Sequence, residues 1–149
     1  MALSKTNVPN WLDIVPEIDV SGANDFSVAT NFKPDLAQLS RSGGGFNTGS
    51  QATADGTVHV GVGAKQPESL TFRCVYSDGE TTDLWDTLKA AEGQDVAARF
   101  QPKGTGVGNR RHIVTGVLQQ VTMPTPDGDG PYMYEFTVFG NETYDTQPV

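Results

Sequence analysis

The chain has 149 residues, 36% hydrophobic and 19% charged, with 17 glycines, 9 prolines, a single cysteine and a formal net charge of −8. This is too apolar for a disordered chain and too acidic for a protein that grips nucleic acid by neutralising phosphates. No apolar run approaches the ~20 residues of a membrane-spanning helix, so no membrane insertion of this chain is expected. The turn-rich composition predicts many short strands in one domain over residues 1–149. The lone Cys74 and the absence of a basic-then-apolar leader suit a reducing cytosol.

Residues 1–10 are polar and predict an N-terminal arm. From Trp11 the chain alternates, with Ile14, Ile18 and Val20 on one face and Asp13, Val15, Glu17 and Asp19 on the other. Pro16 argues for an edge or a break there. After the turn Ser21-Gly22-Ala23-Asn24, Phe26, Val28, Thr30 and Phe32 are expected to share a face. Residues 40–56, "SRSGGGFNTGSQATADG", show no sustained period and predict a long mobile loop, either a flexible hairpin connection or an arm that orders on a neighbouring subunit. Arg41, Phe46 and Asp55 are its candidate contacts with another subunit, Phe46 being its one large apolar anchor. Val58, Val60 and Val62 then predict a half-buried strand, and residues 69–76 another.

One short helix is expected over about Thr82–Glu92. Thr82 is its candidate N-cap, Asp83 and Asp86 suit the positive end of its dipole, and Gly93 can close it in a left-handed conformation. A helix this short holds only by docking, through a face of Leu84, Trp85 and Leu88. Val96, Ala98 and Phe100 mark the next strand. The longest strand pattern covers His112 to Met123, with Ile113, Thr115, Val117, Val121 and Met123 on one face and Val114 and Leu118 on the other. Gly116 marks a bulge or a close backbone approach. "PTPDGDGP" predicts a hairpin connection. The returning strand has Tyr132, Tyr134, Phe136 and Val138 on one side, Met133 and Phe139 on the other. A sheet apolar on both faces calls for a cover, by the helix or by another subunit. Residues 141–149 read as an acidic tail.

Catalytic or ligand-binding signals are scarce. Cys74 alternates with Leu70, Phe72 and Tyr76, which predicts a buried structural thiol. His59 falls on a polar strand face and His112 at a strand start. "GTGVGNR" lacks the phosphate-loop pattern and precedes a strand, not a helix. Asp127 and Asp129 begin like a calcium loop but lack its distal glutamate. The sequence therefore predicts no enzyme, no metal and no cofactor. Residues 96–126 carry four bases and no acid, between acidic stretches. Such segregation fits complementary faces on neighbouring copies as well as an ordinary solvated surface.

The order of these segments, above all "YSDGETTDLWDTLKAAEGQDVAARFQPKG" followed by "RRHIVTGVLQQVTMP" and "YMYEFTVFG", resembles the tail tube (major tail) proteins of tailed bacteriophages over roughly Trp11 to Gly140. The resemblance implies a mainly β fold, a β-sandwich or barrel with a flanking helix. It implies sixfold rings stacked into a hollow tube that serves as the conduit for DNA ejection. The implied partners are further copies of the chain, a tape-measure protein, a tail terminator, baseplate or distal tail proteins, and DNA in passage without specific binding. The implied location is the virion tail, assembled in the host cytoplasm. Asp13, Glu17 and Asp19 are candidate lumen-facing acids, since like charge would keep DNA from adhering. The competing expectations are a tube protein of a contractile secretion system and a monomeric β-sandwich binding module for carbohydrate or protein. The module would use Trp11, Tyr132 and Tyr134.

Overall fold

A computed structural model describes residues 9–77 and 83–149. Within these residues ten strands and one α-helix follow one another: β1 (Val15–Asp19), β2 (Thr30–Asn31), β3 (Leu36–Gly43), β4 (Phe46–Ala52), β5 (Val58–Lys65), β6 (Glu68–Val75), α1 (Leu84–Ala91), β7 (Asp95–Gln101), β8 (Arg110–Val121), β9 (Thr125–Pro126) and β10 (Tyr132–Thr146). The main sheet runs β2-β1-β7-β8-β10-β6-β3, with β9 added on β10, while β4 and β5 form a sheet of their own. Every pairing is antiparallel. The mainly β fold with one short helix agrees with the sequence expectation.

The main sheet curls around a core that its strands build by alternation. On β6 the inward residues are Glu68, Leu70, Phe72 and Cys74, and on β10 they include Tyr134, Phe136 and Val138. Phe32, Phe72 and Phe136 form the centre: Phe72 stacks on Phe136 at 4.9 Å, and Phe32 meets both edge-on. Phe32 comes from the connection that ties the two ends of the sheet. Its amide donates to the Pro16 carbonyl of β1 at 3.2 Å, and the Val75 amide of β6 donates to the Asp35 carbonyl at 2.8 Å. The expected strand over 26–32 is reduced to Thr30–Asn31. Phe26 has a positive φ and Val28 is exposed, because the turn is held by the Asp19 carboxylate and not by sheet pairing.

The helix is capped by Asp83, whose carboxylate accepts from the Trp85 amide, and not by Thr82, which lies outside the described residues. Leu84, Leu88 and Ala91 enter the core, while Trp85 is half-buried. The C-terminal end of the helix does a second job. Strand β7 stops pairing with β8 at Asp95↔Val117, leaving the following β8 backbone with an open edge. The Gly93 amide donates to the Leu118 carbonyl at 2.7 Å, and the Leu118 amide donates to Gln94 at 3.0 Å. Glu92 Oε2 accepts from the Val121 amide at 2.8 Å, Lys89 Nζ donates to the Val121 carbonyl, and Trp85 Nε1 donates to the Thr122 carbonyl. A buried or open backbone group without a partner is costly. The single helix thus fills the concave core with its apolar face and seals a strand edge with its polar one.

Strand β8 departs from its expected pattern at one step. The register with β10 shifts between Thr137 and Val138, so Gln120 opposes Thr137 and Leu118 opposes Val138. This bulge leaves Gln119 without an opposite residue and turns Val121 inward with Val114 and Leu118. Gly116 is a close approach and not the bulge. It faces Gly140, and a Cβ on either would collide with the backbone of the other strand. Residues 141–146 are the end of β10, paired with β8 as far as Thr146↔Arg110, and are not a free tail.

Candidate functional site: an exposed ribbon and its base

Residues 40–56 are mostly strand and not an unpaired loop. They finish β3, turn at Gly43–Gly45 and form β4, which pairs with β5 from Phe46↔Lys65 to Ala52↔Val58. Together β4 and β5 make a ribbon roughly 20–25 Å long that continues the β3–β6 pair outward. Its residues are exposed on both faces. That explains the missing periodicity: backbone pairing alone defines these strands, and no side chain needs to be buried. Val58, Val60 and Val62 are correctly expected to be a strand, but they are 60%, 69% and 70% exposed, not half-buried. Their opposite residues are Ala52, Ser50 and Thr48, which gives one face a continuous apolar row. The reverse face carries Gly49 opposite Gly61 and Gln51 opposite His59.

The three residues expected to make subunit contacts occupy different parts of this device. Asp55 closes the ribbon tip: its carboxylate accepts from the Thr53 hydroxyl and from the Thr57 amide at 2.9 Å. Those donors, the Thr53 hydroxyl first, bring its pKa down to about 2. Phe46 begins β4 and is 61% exposed. Arg41 lies at the base, where its Nε donates to Glu68 Oε1 at 2.6 Å. Gly43 and Gly44 both have φ near +80°, the backbone form glycine adopts at least cost, and this lets the ribbon leave the sheet.

The candidate lumen acids are separated by the fold. Asp13 is exposed in a 3-10 turn, Trp11–Asp13, so it does not alternate with the strand at all. Glu17 is half-buried and matched by Arg99 Nη2 at 3.1 Å, with Gln101 Nε2 also donating to it. Asp19 is fully buried and cannot line a lumen. Burial opposes its ionisation, but donors from the Ser21 hydroxyl and the Ser21 and Phe26 amides outweigh this and pull its pKa below the ordinary value. Sequence periodicity missed this role, which a capping carboxylate two residues before Ser21 could have signalled.

Chemistry-bearing groups are dispersed. Cys74 is buried beside the Tyr134 hydroxyl, and burial pushes its thiol up to about 12. His59 sits on the ribbon, while His112 lies within β8 and stacks on Phe100 at 5.0 Å. No cluster of three metal-ligating side chains exists among the described residues. The aromatic platform expected for a sugar-binding module also comes apart. Tyr134 is buried. Trp11 lines a groove of about 270 Å³ with Phe100. Phe100 opposes His112, which opposes Tyr144. That end of β10 is roughly 40 Å along the strand from Tyr132.

No protein-family model matches the chain, and no curated protein matches it in sequence. Its fold is shared. A chain of the anti-feeding prophage cap, the tube terminating cap, matches with a TM-score of 0.64 and 15% identity, over 98% of this chain and 96% of that one. A chain of the extended PVC extracellular contractile injection system, from its sheath-tube complex, matches with a TM-score of 0.65 and 14% identity, over 95% and 94%. A chain from the tail of an empty gene transfer agent particle, refined with C6 symmetry, matches with a TM-score of 0.59 and 15% identity, over 93% and 98%. The chain therefore has a fold found in tube-bearing injection machines and phage-like tails, from end to end.

Proposed function

We propose that this chain is a structural tail protein that assembles with its own copies into sixfold rings, which stack as the tube of a phage or phage-like tail. The observation that carries the reading is the fold match, over nearly the whole given chain, to chains of a tube-terminating cap, a sheath-tube complex and a gene transfer agent tail. The ribbon supports it. A monomer gains little from two strands exposed on both faces with a valine row, whereas a neighbouring copy could bury that row. Under this reading the tape-measure protein, the terminator and the distal tail proteins are the partners. The work is mechanical, without catalysis or cofactor, and DNA passes without specific binding. The virion tail is the location, with assembly in the host cytoplasm. Among the described residues Asp13 is the one lumen candidate that is exposed without an ion-pair partner, since Glu17 is paired with Arg99 and Asp19 is buried.

A second reading is favoured by two of the similar structures, the prophage cap and the PVC sheath/tube terminator. In it the chain closes a tube with a single ring. Electron microscopy of the purified protein separates the readings. Extended tubes support the first and discrete rings the second. A monomer at every concentration tried, including in the presence of tail extracts, would overturn both.

A further inference from the structure

The point where the ribbon leaves the body is a cluster of charge. Glu68 is the first residue of β6, opposite Gly43 of β3 on one side and Gly140 of β10 on the other. Its side chain is 3% exposed. Oε1 accepts from Arg41, but Oε2 is buried and meets no donor among the described residues. The group that faces it is another carboxyl, Glu142 of β10. Both line a cavity of about 250 Å³ with Arg41, Phe100 and His112. A Cβ added to Gly44, at the hinge, would lie 3.0 Å from Glu68 Oε2, so this carboxyl packs directly beneath the turn. Two carboxylates cannot hydrogen-bond to each other unless a proton lies between them, and a buried oxygen without a donor is expensive.

We propose that Glu68 and Glu142 share one proton, and that this proton latches the base of the β4–β5 ribbon to β10 until rising pH removes it. The remaining charges around the pair are Arg41 on β3 and Lys65 on β5, whose cations favour ionisation. Arg110 and His112 on β8 and Tyr144 on β10 complete the surroundings. Burial and then Arg110 lower the His112 pKa. The hydrogen bond to Glu68, then burial, raise Glu142 above the ordinary carboxylate value. For Glu68, burial works against ionisation, yet its bonds to Glu142 and Arg41 lower it. The pair therefore titrates in two separated steps. The folded chain loses stability as pH falls through the lower step, and also as pH rises from the ordinary glutamate value through the upper one. One bound proton is the state between.

The latch belongs to a single chain and does not depend on how copies assemble. Its test is hydrogen exchange by mass spectrometry on peptides covering residues 43–66, corrected for intrinsic exchange, alongside infrared detection of protonated carboxyl. Wild type should keep a protonated-carboxyl band to higher pH than ordinary glutamates, with pKa about 4.3, allow, and Glu142→Gln should lack it. Ribbon protection should fall up to about tenfold per pH unit through the upper step, while β8 peptides stay constant. Glu142→Gln should flatten that response, because glutamine keeps a donor at every pH. His112→Gln should leave it in place. No band difference between wild type and Glu142→Gln would overturn the shared proton. A ribbon response that survives Glu142→Gln, or disappears with His112→Gln, would overturn the latch.

Discussion

The curled body and the β4–β5 ribbon are built from the same antiparallel pairing, yet different forces fix them. In the body each strand has a face to bury, and the aromatic cluster, the helix and the sealed edge of β8 agree on one arrangement. In the ribbon the backbone ladder stands nearly alone, with valines in solvent and both outer strand edges open. An exposed edge of this kind is a template for pairing with another chain. The body thus carries its own buried core, and the ribbon is the surface that another copy would cover under the proposed function.

That contrast can be attacked from the body outward. Phe72→Ala removes a fully buried ring packed against two others and should cost ~3–5 kcal/mol by urea unfolding; a loss below about 1 kcal/mol would mean the core is looser than its geometry. Gly116→Ala forces a methyl into the Gly140 backbone and should cost about 1–3 kcal/mol in the same assay. Trp85→Ala should cost about 2–3 kcal/mol, less than a fully packed tryptophan, because the indole is half-buried and gives up one bond to Thr122.

Asp19 supplies a pH probe. Its folded pKa lies below the ordinary value, so its contribution is complete above that value and is lost as pH falls through the folded one. Asp19→Asn should flatten that part of the acid limb in thermal unfolding curves; an unchanged limb would remove Asp19 as its source. The smallest effect on stability is expected in the ribbon. Replacing Val58, Val60 and Val62 with threonine should change monomer stability by no more than about 0.5 kcal/mol while abolishing assembly by sedimentation. Normal assembly from that variant would separate the valine row from any contact between copies.

The same contrast accounts for what could be read in advance. Body elements declared themselves wherever burial imposed a period: Leu70, Phe72 and Cys74 on β6, Tyr134, Phe136 and Val138 on β10, and Leu84 and Leu88 on the helix. The ribbon imposes none, so β4 reads as a glycine-rich loop although its backbone pairs with β5 along one edge. Asp19 escaped because a capping carboxylate and a surface acid alternate alike. Val121 was assigned to the wrong face because one unopposed residue, Gln119, shifts the count of a strand by one. Glu68 and Glu142 meet across 74 positions of sequence, and no local pattern could join them.

Cys74 has a practical consequence. A thiol buried on the inner face of β6, with so little thiolate near neutrality, is a poor target for alkylating and spin-labelling reagents. A cysteine introduced at the ribbon tip would then be the sole reactive thiol of the chain, because the sequence contains no other. The native protein is already a labelling background in which a signal from the ribbon can be recorded without removing anything from the core.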